Sequence, residues 1–346
     1  MWLFSRVLNT PWLVNRFLRN IRHQQDFLRK HLGEILEDAE KNSDGSLDSA
    51  DFKKIYTYYG LAVPAILGEE IAMLTGRPMT ERERLALSYQ GAMTGLFDDF
   101  FDKHEMSEDR LLNFVENPGS INGNNSSERL FLHLFRKSLE LSHHPAQTIE
   151  CLRRVYLAQV GSLQQNQPGL SREDIKKITI EKGGVSVLFY RSVFEREMIG
   201  KEENAFYRMG GLMQFGNDIF DVYKDSLQDI HTLMTTTRKV DLVRREFREM
   251  QAEAFGSFFA TAYGWTATRR FLDMVELSLC ARCYVCLDQL EKLEALNAGI
   301  FDPKKHSRAE LICDLDNLKN KWRSIRYFWK GKRKFSLSHS QGARTP

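Results

Sequence analysis

The chain has 346 residues, 42% of them apolar and 27% charged, with a formal net charge of +3. That balance can bury a sizeable core but names no anionic partner for the chain as a whole. Five cysteines and no secretory leader exclude a disulfide-built scaffold and set the expectation of a reducing, cytoplasmic compartment, and no apolar run reaches the ~18 residues a spanning helix needs.

With only 22 glycines and eight prolines, turns are sparse and long elements are expected. Apolar residues recur three and four apart over 12–37, 52–75, 81–103, 107–116, 127–142, 146–164, 171–198, 202–227, 239–263, 266–296 and 307–329. Strand-like alternation is almost absent, so the expected fold is all-α. The sequence divides into an amphipathic basic segment 1–24, one helical domain 25–318 and a basic aromatic tail 319–346.

In chain order, the first segment mixes Trp2, Leu3, Phe4, Trp12, Phe17 and Leu18 with Arg6, Arg16, Arg19 and Arg22. A signal peptide would need an uninterrupted apolar centre, which Arg6, Asn9 and Pro11 break. Segment 40–51 fits the calcium loop of an EF-hand, but Glu40 and Asp51 are imperfect first and last ligands and no second loop pairs with it, so it reads as a polar turn between helices. Thr80 with Glu83, and Ser171 with Asp174, are capping-box entries to helices. Asn117–Ser127 is a loop. Cys280, Cys283 and Cys286, three apart, lack a fourth ligand for zinc and read as helix packing. From Lys319 to Lys334, eight Lys or Arg are interleaved with Trp322, Tyr327, Phe328 and Trp329. Both termini thus suit association with a membrane surface, and a nucleic-acid partner is not expected.

Two segments carry chemistry. In Gly91-Ala-Met-Thr-Gly-Leu-Phe-Asp98-Asp99-Phe-Phe-Asp102, Asp98 and Asp102 share one helix face with Asp99 beside them, and Gly91, Thr94 and Gly95 are expected to leave an open hollow behind. The device returns 119 residues later, where Asn217, Asp221 and Asp225 step by four behind Gly210, Met213 and Gln214, with Asp218 adjacent. Clustered carboxylates repel unless cations or proton uptake intervene, and hard oxygen donors beside a hollow suit Mg²⁺ shared with a diphosphate.

Asp98-Asp-Phe-Phe-Asp102 matches the first aspartate-rich motif of the class I isoprenoid synthase superfamily, and the chain resembles its trans-prenyltransferase branch over roughly residues 50–240. Gln214-Phe-Gly-Asn217-Asp218-Ile-Phe-Asp221 is similar to the second motif, and Asn217, Asp221 and Asp225 also fit the metal pattern of terpene cyclases. Lys182-Gly-Gly resembles the family's Lys-Thr-Gly helix break. The likeness implies a single helical bundle around a central apolar cavity. It implies two or three Mg²⁺ ions, with Mn²⁺ as a substitute, on Asp98, Asp102, Asn217, Asp221 and Asp225. Asp99 joins them in the catalytic motif, Lys182, Gln214 and Asp218 would face the substrate's diphosphate, and Met93, Thr94 and Phe97 would bound its prenyl tail. Family members also commonly pair as homodimers.

Where chain-elongating members carry cations for a second diphosphate, this chain reads Tyr58-Tyr59-Gly60-Leu61-Ala62-Val63-Pro64, and no arginine pair follows Asp102. A second free anion would have to be desolvated without fixed cations. The expected activity is therefore ionisation of one allylic prenyl diphosphate followed by rearrangement or cyclisation. Condensing prenyl transfer is the alternative, and a catalytically silent prenyl-diphosphate-binding protein the third.

Overall fold

The computed structural model describes the backbone of residues 2–102 and 106–331, with side chains for 6–101 and 106–331, and every regular element among the described residues is helical. Residues 103–105, just after the first acidic motif, and the tail beyond residue 331 lie outside the described residues. No described helix is long and apolar enough to cross a membrane.

Helix α1 spans Trp2–Lys41 and continues through Pro11, although a proline within a helix removes one hydrogen bond. Helices α2 (Ser49–Thr57) and α3 (Tyr59–Ala62), a wide turn (Val63–Gly68) and α4 (Glu69–Leu74) follow. Periodicity reads 52–75 as one helix, but the chain departs from helical geometry at Tyr58 (φ −125°, ψ −89°). It widens again around Pro64, which cannot donate to the ladder.

The next helices are α5 (Glu81–Asp102), α6 (Glu108–Glu116), α7 (Ser126–Leu141) and α8 (Pro145–Ser162). The expected box at α5 forms: the Thr80 amide donates to Glu83 Oε2 at 3.0 Å and the Glu83 amide to Thr80 Oγ at 3.2 Å. Helix α9 (Arg172–Arg191) is entered through a partial version. Ser171 Oγ accepts from the Asp174 amide at 3.1 Å, and the short Asp174 carboxylate meets the Ser171 hydroxyl at 2.6 Å. Then come α10 (Lys201–Phe220), α11 (Val222–Leu227), α12 (Val240–Phe258), α13 (Trp265–Val275), α14 (Ala281–Leu296), α15 (Arg308–Leu311) and α16 (Leu318–Lys330).

Helices α5, α7, α8, α9, α10 and α12 pack in succession around one large core. Its aromatic centre stacks Phe97 on Phe131 at 5.6 Å and sets Phe215 edge-on to Phe247 at the same distance. A smaller cluster of Leu13, Met274, Ala281 and Phe328 joins the two ends of the chain. Part of the basic tail is thus a docked helix, and residues 2–24 are the first half of α1. In the 40–51 turn the side chains are spoken for: Asp44 accepts from Ser46 and from the Ser126 amide, and Asp48 and Asp51 cap α2.

Candidate active site at two acidic helix ends

The first rim is the end of α5. Asp98 is half-buried and accepts hydrogen bonds from Tyr59 Oη at 3.1 Å and Gln159 Nε2 at 2.6 Å. Its neighbour Asp99 turns the other way, buried against α2, where both carboxylate oxygens lie 2.7 Å from Lys54 Nζ. Asp102 ends the helix, and its side chain lies outside the described residues. Behind the rim, Met93 and Phe97 are buried, and the Thr94 hydroxyl meets that of Tyr190 at 2.9 Å.

The glycines of this rim do not leave the open space expected of them. A methyl group on Gly91 would stand 2.6 Å from the Tyr59 carbonyl oxygen, and one on Gly95 3.1 Å from Lys54 Cδ. They let the α2–α3 segment lie directly on α5, which is how Lys54 and Tyr59 reach Asp99 and Asp98.

The second rim is the end of α10 and the short α11. Asn217 Nδ2 donates to Asp221 Oδ2 at 3.1 Å. Asp218, 4% exposed, accepts from Gln214 Nε2 at 2.9 Å and Thr179 Oγ at 3.2 Å. Burial pushes the Asp218 carboxyl up to about 6, against the opposing pull of Gln214, Thr179 and Lys182. Asp225 is pushed up to about 7 by burial and then by Asp218 and Asp221, and Asp221 itself is raised by burial. Lys182 acts electrostatically on both Asp218 and Asp225, so its charge lies within reach of this rim.

The resemblance implied a helix break at Lys182-Gly-Gly, but α9 runs unbroken through it. The glycines serve helix contact: a methyl group on Gly183 would fall 2.1 Å from the Gly210 carbonyl oxygen, and one on Gly184 2.5 Å from the Tyr207 ring. Two glycine pairs press α9 and α10 together, and that contact carries Lys182 to the acids.

Two tyrosines join the rims. Tyr58 Oη donates to Asn217 Oδ1 at 3.2 Å, Tyr59 Oη donates to Asp98, and the two rings meet edge to face with centroids 4.7 Å apart. The Tyr58 phenol is raised by its surroundings and then by Asp221 and Asp98, so both rims lie within electrostatic reach of one hydroxyl. For Tyr59 the leading cause is Asp98 itself. Sequence reasoning used this stretch only for the cations it lacks. Two adjacent phenols at the kinked end of an amphipathic helix were the available signal.

The donors are carboxylate and amide oxygens, the hard set that Mg²⁺ prefers. Burial and mutual repulsion raise these carboxyls, and a divalent cation would relieve that repulsion and release any protons they hold as it binds. Among the described residues, no three His, Cys, Asp or Glu side chains already converge as a metal-holding group. The acids stand instead as two rims meeting at Tyr58 and Tyr59. One cleft of about 380 Å³ lies away from the rims, between Leu170–Ile175 and Thr236–Leu242, and another of about 290 Å³ borders α11 of the second rim, between Tyr223–Asp229 and Pro303–His306. The chain matches no protein-family model, no curated protein and no solved structure.

Proposed function

We infer that this protein is a Mg²⁺-dependent enzyme of the class I isoprenoid type, which ionises an allylic prenyl diphosphate and lets the carbocation rearrange or cyclise. The reading is carried by one observation: Asp98 and Asn217, from two aspartate-rich motifs far apart in sequence, are hydrogen-bonded to adjacent tyrosines. Asp98, Asp102, Asn217, Asp221 and Asp225 would hold the metal, with Asp99 held aside by Lys54. Bound Mg²⁺ would supply neutralisation of the diphosphate and so a better leaving group.

In this reading the chain's own groups divide the remaining work. Lys182 adds a fixed positive charge beside Asp218 and Asp225, where the diphosphate would lie, and Gln214 orients Asp218. Gln159 donates to Asp98 and would fix its carboxylate for the metal. The prenyl tail would run beneath Tyr58 and Tyr59 toward Met93, Thr94, Phe97 and Tyr190. Aromatic faces there exclude water and can stabilise a cation. Because Tyr58–Pro64 supplies phenols and no cations, a reaction needing one diphosphate fits better than condensation with a second.

The test is Mg²⁺-dependent diphosphate release from geranyl, farnesyl and geranylgeranyl diphosphates by the intact chain and by Asp98→Ala and Asp221→Ala. Each substitution should lower release by at least about 100-fold, the usual scale for removing one electrostatic stabiliser. Undiminished release in both variants would exclude the scheme. A hydrocarbon or alcohol product would mark a lyase, and a longer diphosphate formed with isopentenyl diphosphate a transferase.

A further inference from the structure

The first five turns of α1 carry a surface that the core does not use. No Asp or Glu occurs before Asp26, whereas Arg6, Arg16, Arg19 and Arg22 do. The structure splits those arginines into two pairs with different roles. Arg6 is buried among Asp273, Glu276 and the Phe328 carbonyl, and Arg16 Nε donates to Glu70 at 2.9 Å. Arg19 and Arg22 are exposed and, among the described residues, take part in no hydrogen bond or ion pair.

Between them and the start of the helix, the outer face is apolar. Leu8 is 63% exposed, Trp12 45% and Leu18 47%, with Val7 and Val14 beside them. At 100° per residue, positions 7, 8, 11, 12, 14, 15, 18, 19 and 22 fall on one side of the helix, where Asn15 is the single uncharged polar residue. The strip is about 24 Å long at 1.5 Å per residue. Its flanks continue the pattern. Arg270 of α13 lies 5.7 Å from the centre of the Trp12 ring. On the other side, Trp329 donates to Thr10 Oγ at 2.8 Å and meets the half-exposed Trp322 at 5.3 Å.

We propose that this face of α1, edged by α13 and α16, binds the surface of an anionic phospholipid bilayer. Leu8, Trp12 and Leu18 enter the headgroup boundary, while Arg19, Arg22 and Arg270 meet lipid phosphates. The occupant follows from charge: a strip with free cations, no acids and tryptophans at its edges complements a negatively charged, amphipathic plane. It complements a second copy of itself poorly, because pairing would oppose like charges. The inference stands apart from the proposed reaction, since no residue of the two acidic rims belongs to this face.

Flotation of the full chain with vesicles of phosphatidylcholine, alone and mixed with phosphatidylserine, tests it. The chain should float with the mixed vesicles, less with neutral ones, and less again as salt is added. The double variant Leu8→Ser, Trp12→Ser should lose binding to both while keeping the wild-type circular dichroism. Arg19→Gln with Arg22→Gln should weaken binding to the mixed vesicles about 25-fold, roughly fivefold per arginine, and leave the neutral ones nearly unaffected. Failure of the wild-type chain to float, or unchanged flotation of both variants, overturns the proposal. So does a dimer in light scattering that the Leu8→Ser, Trp12→Ser variant converts to monomer, because the face would then join two copies.

Discussion

At the scale of single residues, three aspartates with similar sequence surroundings have different fates. Asp98 accepts hydrogen bonds from Tyr59 and Gln159, Asp99 is paired with Lys54, and burial raises the carboxyl of Asp225. Removing the Lys54 amine takes one ion pair from the buried Asp99 carboxylate, so Lys54→Ala should cost about 2 kcal/mol, less than a fully buried pair because Lys54 is itself partly exposed. Urea unfolding measures this, and Asp99→Asn in the same background should recover much of the loss. Asp225 gives a pH prediction. Its carboxyl binds a proton more tightly folded than unfolded, so its contribution falls as pH rises from about 4 through about 7. Without divalent cations, Asp225→Asn should be more stable than wild type above pH 7, by at most about 4 kcal/mol, and the difference should vanish near pH 4. Equal stability of the two proteins at all pH values would show that Asp225 is not buried as described.

At the scale of elements, the sequence conveyed helix periodicity and both acidic motifs, because each is written in local spacing. It did not convey what the glycines are for. Small residues before an acidic motif read as space, yet Gly91 and Gly95 admit the α2–α3 segment, and Gly183 and Gly210 admit each other. A missing side chain looks the same in sequence whether solvent, substrate or another backbone takes its place. The difference is measurable. Gly183→Ala would place a methyl group on the Gly210 carbonyl and should cost about 3 kcal/mol while displacing Lys182 from the acids. Gly256→Ala, on an open part of α12, should instead stabilise by about 0.5 kcal/mol. The breaks at Tyr58 and between α15 and α16 were equally hidden, since apolar spacing continues across them.

At the scale of the whole molecule, the arm and tail read from sequence prove to be linked. Arg6 joins residues about 270 and 320 positions away, and Phe328 packs under Leu13. No local pattern announces such a pairing, because each partner alone is an ordinary surface charge. Arg6→Ala removes the guanidinium that is ion-paired with buried Asp273 and Glu276 and should cost about 4 kcal/mol, read as a lower urea midpoint. The same closure sets α1 alongside α16, and α1 also packs on α3, so the ends of the chain are tied to the helix that carries Tyr59.

The claim on which the functional reading depends is that both rims grip one diphosphate through shared metal. Isothermal titration of inorganic pyrophosphate into the intact chain, with and without Mg²⁺, measures this directly, with Asp98→Asn and Asp221→Asn alongside. Pyrophosphate should bind only when Mg²⁺ is present, at least tenfold more weakly after either substitution, with protons released as the metal enters. Pyrophosphate that binds as tightly without Mg²⁺, or that ignores one of the two rims, would contradict it.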